Sequence, residues 1–244
     1  MKKVLSIFLV FVVLISFGGV LVLGYFGIIP LPGDIFNVTK PKDLGVTYSE
    51  EDFDTFVAKT ESQILPFEDA PEELQTTGPG IVFTSPKPYE MSFTNSEISA
   101  RINYANWTSM PVKNVQVKFS DDGIIEVSGN LISGKLKSFA SIAGYGGYSE
   151  ENVDKGLSWV EKLGSNPAFY LKARTEITNN ELSLDTQSVE INRLGLPSDQ
   201  ANKAITIATE TIIKSVTGLD AEKLTITDNA FNFKGNAPSL IYSK

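Results

Sequence analysis

Residues 169–191 read FYLKARTEITNNELSLDTQSVEI. Phe169, Leu171, Ala173, Thr175 and Ile177 alternate with Tyr170, Lys172, Arg174 and Glu176, so an extended chain carries an apolar row on one face and a polar row on the other. Asn179-Asn180 then turns the chain, and Leu182, Leu184, Val189 and Ile191 carry the return strand. A sheet that is wet on one face is built from antiparallel strands, and its dry face has to be covered. Amphipathic helices elsewhere in the chain can supply the cover, which predicts an α+β fold in two layers.

Upstream, Thr94-Asn95-Ser96-Glu97 forms a capping box, with Ile98 and Ile102 on the buried face of a short helix and Pro111 beyond its end. Val115, Val117 and Phe119 alternate into the turn Ser120-Asp121-Asp122-Gly123, and Ile125, Val127 and Leu131 alternate back. Ser149 caps a further helix with Val153, Leu157, Val160 and Leu163 on one face, stopped by Gly164. Downstream of Leu196-Pro197, Ser198 caps a long helix with Ala201, Ile205, Ala208, Ile212 and Val216 in register, stopped by Gly218. Leu224 and Ile226, a turn at Asp228-Asn229, and Phe231 with Phe233 give a last hairpin. Two strands end alike, IIEVSGN at 124–130 and AFNFKGN at 230–236. Either a helix–hairpin unit is used twice, at 94–132 and 198–236, or Gly-Asn simply ends strands as turn residues do.

Residues 4–29, VLSIFLVFVVLISFGGVLVLGYFGII, contain no charge. As a helix they would be about 39 Å long, more than the roughly 30 Å hydrocarbon core needs. Lys2 and Lys3 precede the stretch and Asp34 is the first charge after it, so the N-terminus is expected in the cytoplasm and the rest outside. A cleaved signal peptide would be shorter and end in a small-x-small site, which is missing here. The expected plan is a signal anchor at 1–29 and a stalk at 30–48. A helix beginning at Ser49, with Phe53, Phe56, Val57 and Ile64 on one face, follows within 49–90, together with an irregular proline-rich connection at 66–88. An extracytoplasmic α+β domain occupies 91–244, and the localisation is a single-pass plasma-membrane protein.

The chain has no cysteine and no histidine. Disulfides, an N-terminal lipidated cysteine, imidazole catalysis and His-based zinc sites are therefore excluded. Past the anchor, 19 basic residues face 29 acids, a net charge of −10. Such a surface repels nucleic acid and anionic headgroups. Asp121-Asp122 reads as a turn, and neither it nor Asp228-Asn229 has the spacing of a calcium loop. No catalytic residue, cofactor or metal is assigned.

The candidate ligand-binding residues are Tyr145 and Tyr148 in Gly144-Tyr145-Gly146-Gly147-Tyr148, where glycines let a ligand approach and rings can cover it. Ile205, Ala208 and Ile212, on a helix face with small residues, complete the set. Tyr104 and Trp107 read as the rim of a core. Asn37-Val-Thr39 and Asn106-Trp-Thr108 match the glycosylation sequon.

The order of an N-terminal anchor, SFTNSEISARIN, a hairpin ending IEVSGNL, the pair YLKARTEITNNELSLDTQSVEINRLGLP, and a helix with a hairpin ending FKGNAP resembles the YpmS-like family of bacterial single-pass membrane proteins and, more distantly, tubular-lipid-binding-like extracytoplasmic domains. The resemblance implies helices lining a curved antiparallel sheet, in some members around a lipid-sized groove. The leading expectation is a non-enzymatic tethered domain that binds a lipid or other apolar ligand. The alternatives are an envelope structural or protein-interaction module, with 66–88 and the Gly-Tyr loop as contact surfaces, and a carboxylate-dependent glycan hydrolase with Tyr145, Tyr148 and Trp159 as sugar platforms.

Overall fold

A computed structural model describes residues 39–75, 80–105, 107–142, 149–162, 164, 166–197, 199, 201–203, 205, 206, 216 and 218–244. The helices are α1 (Glu50–Thr60), the single turn α2 (Glu72–Gln75), α3 (Asn95–Tyr104), α4 (Ser133–Ile142) and α5 (Glu150–Lys162). The early strands are β1 (Gln63–Pro66), β2 (Ile81–Thr84), β3 (Lys87–Thr94), β4 (Val112–Ser120) and β5 (Ile124–Leu131). The later ones are β6 (Ala168–Thr178), β7 (Glu181–Ile191), β8 (Leu194–Gly195), β9 (Asp220–Thr227), β10 (Ala230–Ala237) and β11 (Leu240–Ser243).

The hairpin that predicts the fold is β6 and β7. Asn179 and Asn180 both turn with positive φ, 51° and 66°, a conformation asparagine tolerates. One residue departs from simple alternation. Lys172 faces Ser188 but Ala173 faces Thr186, so Gln187 bulges out and the buried row changes parity from Thr186 to Val189 and Ile191.

β6 is the branch point of an antiparallel sheet that curls into a half-barrel. Its first residues pair with β5, which pairs with β4; its tip, at Ile177 and Thr178, pairs with β9, which leads through β10 to β3. The two arms therefore share a hinge line and face each other. Their apolar rows fill the space between them: Phe93 stacks on Phe56 of α1 with centroids 4.9 Å apart, and Phe231 lies 5.8 Å from Phe119. Leu136 and Phe139 of α4 and Val153, Leu157 and Val160 of α5 belong to the same core, and each such buried side chain contributes roughly 1.5–3 kcal/mol.

α3 closes the curl. It follows β3 directly and lies along the open edge of β4, where an unpaired strand would expose its N–H groups. Asn95 Oδ1, Ser99 Oγ and Asn103 Oδ1 accept hydrogen bonds from the N–H groups of Phe119, Val117 and Val115 at 2.8–2.9 Å. The side chains of one helical stripe thus stand in for a neighbouring strand. The capping box of Thr94 with Glu97 forms on α3, and Ser49 makes a second one with Asp52 at the start of α1.

Residues 66–88, expected to be irregular, contain the end of β1, a turn of 3-10 helix at Phe67–Asp69, α2, β2 and the start of β3. β1 runs parallel to β11 and β2 antiparallel to it, a second small sheet whose central strand lies at the other end of the sequence. The half-barrel also takes in β3, whose Tyr89 and Phe93 are buried while Pro88 and Glu90 are exposed. A boundary at 90/91 falls inside this strand. Within the segment read as a stalk, residues 39–48 lie against the convex face of the sheet.

Helix is present at 199, 201–203, 205 and 206, within the long helix expected after Pro197; its N-cap Ser198 is outside the described residues. Residues 4–29 are outside them too. Among the described residues no helix is long and apolar enough to cross a membrane.

Candidate functional site

Of the residues selected from the sequence, Tyr145, Tyr148, Ala208 and Ile212 lie outside the described residues. Ile205 is fully buried and packs in the main core with Ala201, which is how an apolar helix residue ordinarily serves a fold. Among the described residues no three acids gather closely enough to hold a metal ion.

The least ordinary chemistry lies between α1 and α3. One face of α3 is committed to β4 and another, through Ile98 and Ile102, to the core. Glu97 and Arg101, one helical turn apart, stand toward α1. Glu97 is buried and fully engaged: its carboxylate accepts from Thr94 N–H in the capping box and pairs with Lys59 Nζ at 2.6 Å. Arg101 is 3% exposed, and its Nε and Nη2 have no hydrogen-bond partner. Its guanidinium carbon is 5.6 Å from the centre of the Phe53 ring and 5.9 Å from that of Phe56. Burial alone pulls its pKa down to about 10.

The magnitudes show why this matters. Burying an ion without a counter-ion costs several kcal/mol, whereas a cation over an aromatic ring recovers about 0.5–2 kcal/mol and does so only inside roughly 6 Å. Both rings sit near that limit, so they offset a part of the cost. A charged residue on a helix ordinarily marks its wet side, and no spacing in the sequence distinguishes Arg101 from such a residue.

Above Arg101 the surface is aromatic. Tyr104 meets Tyr48 edge to face at 6.0 Å and Phe53 at 6.3 Å. Tyr104, 38% exposed, is the large hydrophobic side chain left exposed among the described residues, while Tyr48 and Phe53 are half-buried. Burial, and secondarily Tyr104, raises the Tyr48 pKa above the ordinary phenol value.

A second feature is polar. At the far end of the β6–β7 hairpin a concavity of about 560 Å³ is lined by Glu90, Asn179, Asn180, Asp220, Glu222 and Lys234 among others. Its charges are exposed and partly committed: Lys234 binds Glu222 at 2.8 Å and Asn180 Nδ2 donates to Asp220 at 2.9 Å. General acid catalysis needs a carboxyl group withdrawn from water, and these side chains are open to it.

The convex face carries the strap formed by residues 39–48. Asn130 Nδ2 donates to Thr39 O, Leu44 N–H donates to Gln116 Oε1, and Ser96 Oγ donates to Thr47 O. Leu44 and Val46 pack on Tyr170, and Lys42 Nζ stands 3.7 Å from the centre of its ring. Burial first, and then its hydrogen bond to Glu126, raise the Tyr170 pKa well above the usual phenol range.

No family model matches the chain, and neither the curated proteins nor the solved structures give a match.

Proposed function

We propose that the chain is a membrane-tethered, non-catalytic binding module of the cell envelope that takes a lipid or other apolar ligand. The uncharged stretch at 4–29 supports the tether, and the lack of histidine and cysteine supports a binding role over a nucleophilic one. The observation that carries the ligand reading is the aromatic seam of Tyr48, Phe53 and Tyr104, which leads from the surface to the buried Phe56 and Phe93. Rings with a polar tip suit a boundary between water and an apolar chain. Native mass spectrometry of the full chain, extracted from membranes in a neutral detergent and offered dodecanol, is expected to give a one-to-one adduct that Tyr104→Ala weakens. No dodecanol adduct, together with no co-purifying lipid that the variant loses, sinks the reading.

A second reading, an envelope module that contacts another protein, is favoured by the polar concavity beyond Asn179. Deleting 66–88 is a poor test of it, because those residues build two sheets. Cross-linking in intact membranes, compared between the wild type and Asn179→Ala with Glu90→Ala, separates contact from collapse: a partner lost only in the double variant supports this reading.

A further inference from the structure

One hydrogen-bonding edge of the Arg101 guanidinium has no partner, and its geometry is specific. A guanidinium has two hydrogen-bonding edges, and Nε with Nη2 forms one complete edge, the side-on fork that takes both oxygens of a carboxylate or phosphate. These are the two nitrogens without a partner. The carboxylate one turn away, on Glu97, is spent on Lys59 and the helix cap. Lys59 Nζ also donates to Ser92 O, which keeps it beside Glu97. Phe53 covers the guanidinium, and Tyr104 and Tyr48 continue that covering to the surface.

We propose that Arg101 is the counter-charge for the anionic head of a single-chain amphiphile, a fatty-acid carboxylate or a phosphate monoester, whose tail lies along the Tyr48–Phe53–Tyr104 seam. The inference rests on the reading of the chain as a binder of an apolar ligand and adds which end of that ligand is charged. The seam selects by both properties at once. A free anion finds the fork but gains nothing from the rings; a neutral chain gains the rings but leaves the fork unpaired. The strongly acidic exterior repels anions of every kind, so an anion that reaches Arg101 has to be retained by the apolar contacts of its tail.

The test uses the full chain in neutral maltoside micelles, with laurate, dodecyl phosphate, dodecanol, acetate and inorganic phosphate as probes, the three amphiphiles sharing a twelve-carbon chain so that only the head differs, read by native mass spectrometry and thermal unfolding. Laurate or dodecyl phosphate is expected to bind one to one and about ten-fold or more tighter than dodecanol, the range of a charge-assisted hydrogen-bond pair. Which of the two binds better assigns the head as carboxylate or phosphate. Arg101→Met is expected to bring both down to the level of dodecanol, while its ligand-free Tm stays at or above that of the wild type, because an unpaired buried charge has been removed. Arg101→Lys, which keeps the charge and loses the fork, is expected to fall between. Dodecanol binding as tightly as the anions in the wild type overturns the role of Arg101 and leaves the apolar-ligand reading standing. Acetate or inorganic phosphate binding as tightly as their long-chain counterparts makes the site one for free anions and overturns the amphiphile. Binding of none of the five overturns both readings. If Arg101→Met fails to fold, the ratio of anionic to neutral probe in the wild type still decides.

Discussion

β5 and β10 carry the same two letters, Gly-Asn, just before their last residue, and for different reasons. Gly129 of β5 has no left-handed backbone; it is glycine because a Cβ there would stand 3.0 Å from the Phe169 ring and the Val115 methyl and 3.1 Å from Lys113 O. Gly235 of β10 has φ +146° at a bulge between β10 and β9, and a Cβ there would lie 2.0 Å from Asp220 O. The asparagines differ as well. Asn130 is buried on the convex face, where Nδ2 reaches Thr39 O and Asn166 O and Oδ1 accepts from Asn114. Asn236 is half-buried and lines the polar concavity. Similar words at 124–130 and 230–236 therefore record two local solutions, one of packing and one of backbone, and a repeated unit is not needed to explain either.

The comparison can be broken at each glycine. Gly235→Ala is expected to cost roughly 3–5 kcal/mol, because the obstacle is a backbone oxygen that cannot move without the bulge. Urea denaturation of the full chain in micelles measures it, and a cost below that of Gly129→Ala would reverse the assignment. Gly129→Ala is expected to cost about 1–3 kcal/mol, since a ring and a methyl group can yield by a few tenths of an ångström. The asparagines sharpen it further. Asn130→Ala should cost about 1–3 kcal/mol and release the strap, seen as faster proteolysis near residues 39–46, whereas Asn236→Ala should stay within about 0.5 kcal/mol of the wild type. Equal effects at the two asparagines would argue for equivalent roles.

What the sequence discloses depends on how local its cause is. The hairpins β4–β5, β6–β7 and β9–β10 and both capping boxes are legible because period and turn chemistry sit within a few residues of each other. The shift in parity between Leu184 and Val189 even marks the bulge at Gln187. β3 was within reach, since Tyr89, Met91 and Phe93 alternate, but Pro88 and Pro86 make the stretch read as connection; an edge strand admits proline near its start. β1 and β2 were not, because their order comes from β11, far along the chain. The strap looks like a linker by composition, and only Tyr170, Gln116 and Asn130 make it part of the fold. Arg101 is the extreme case: its significance lies in what surrounds it, and helix spacing reports no such thing.

The contact of α3 with β4 also sets a length. Four residues of helix advance about 6.0 Å and two residues of strand about 6.8 Å, so the two rulers slip by roughly 0.8 Å at every rung. Across Asn95, Ser99 and Asn103 the slip accumulates to about 1.6 Å, which three hydrogen bonds absorb by small changes of angle. A fourth rung would bring it to about 2.4 Å, close to a whole bond length of misplacement. The helix ends at Tyr104, one residue past its last rung. A helix used to stand in for a strand works like a vernier scale, with a short span over which its marks coincide, and a longer sheet edge would have to be covered by breaking the helix and starting the count again.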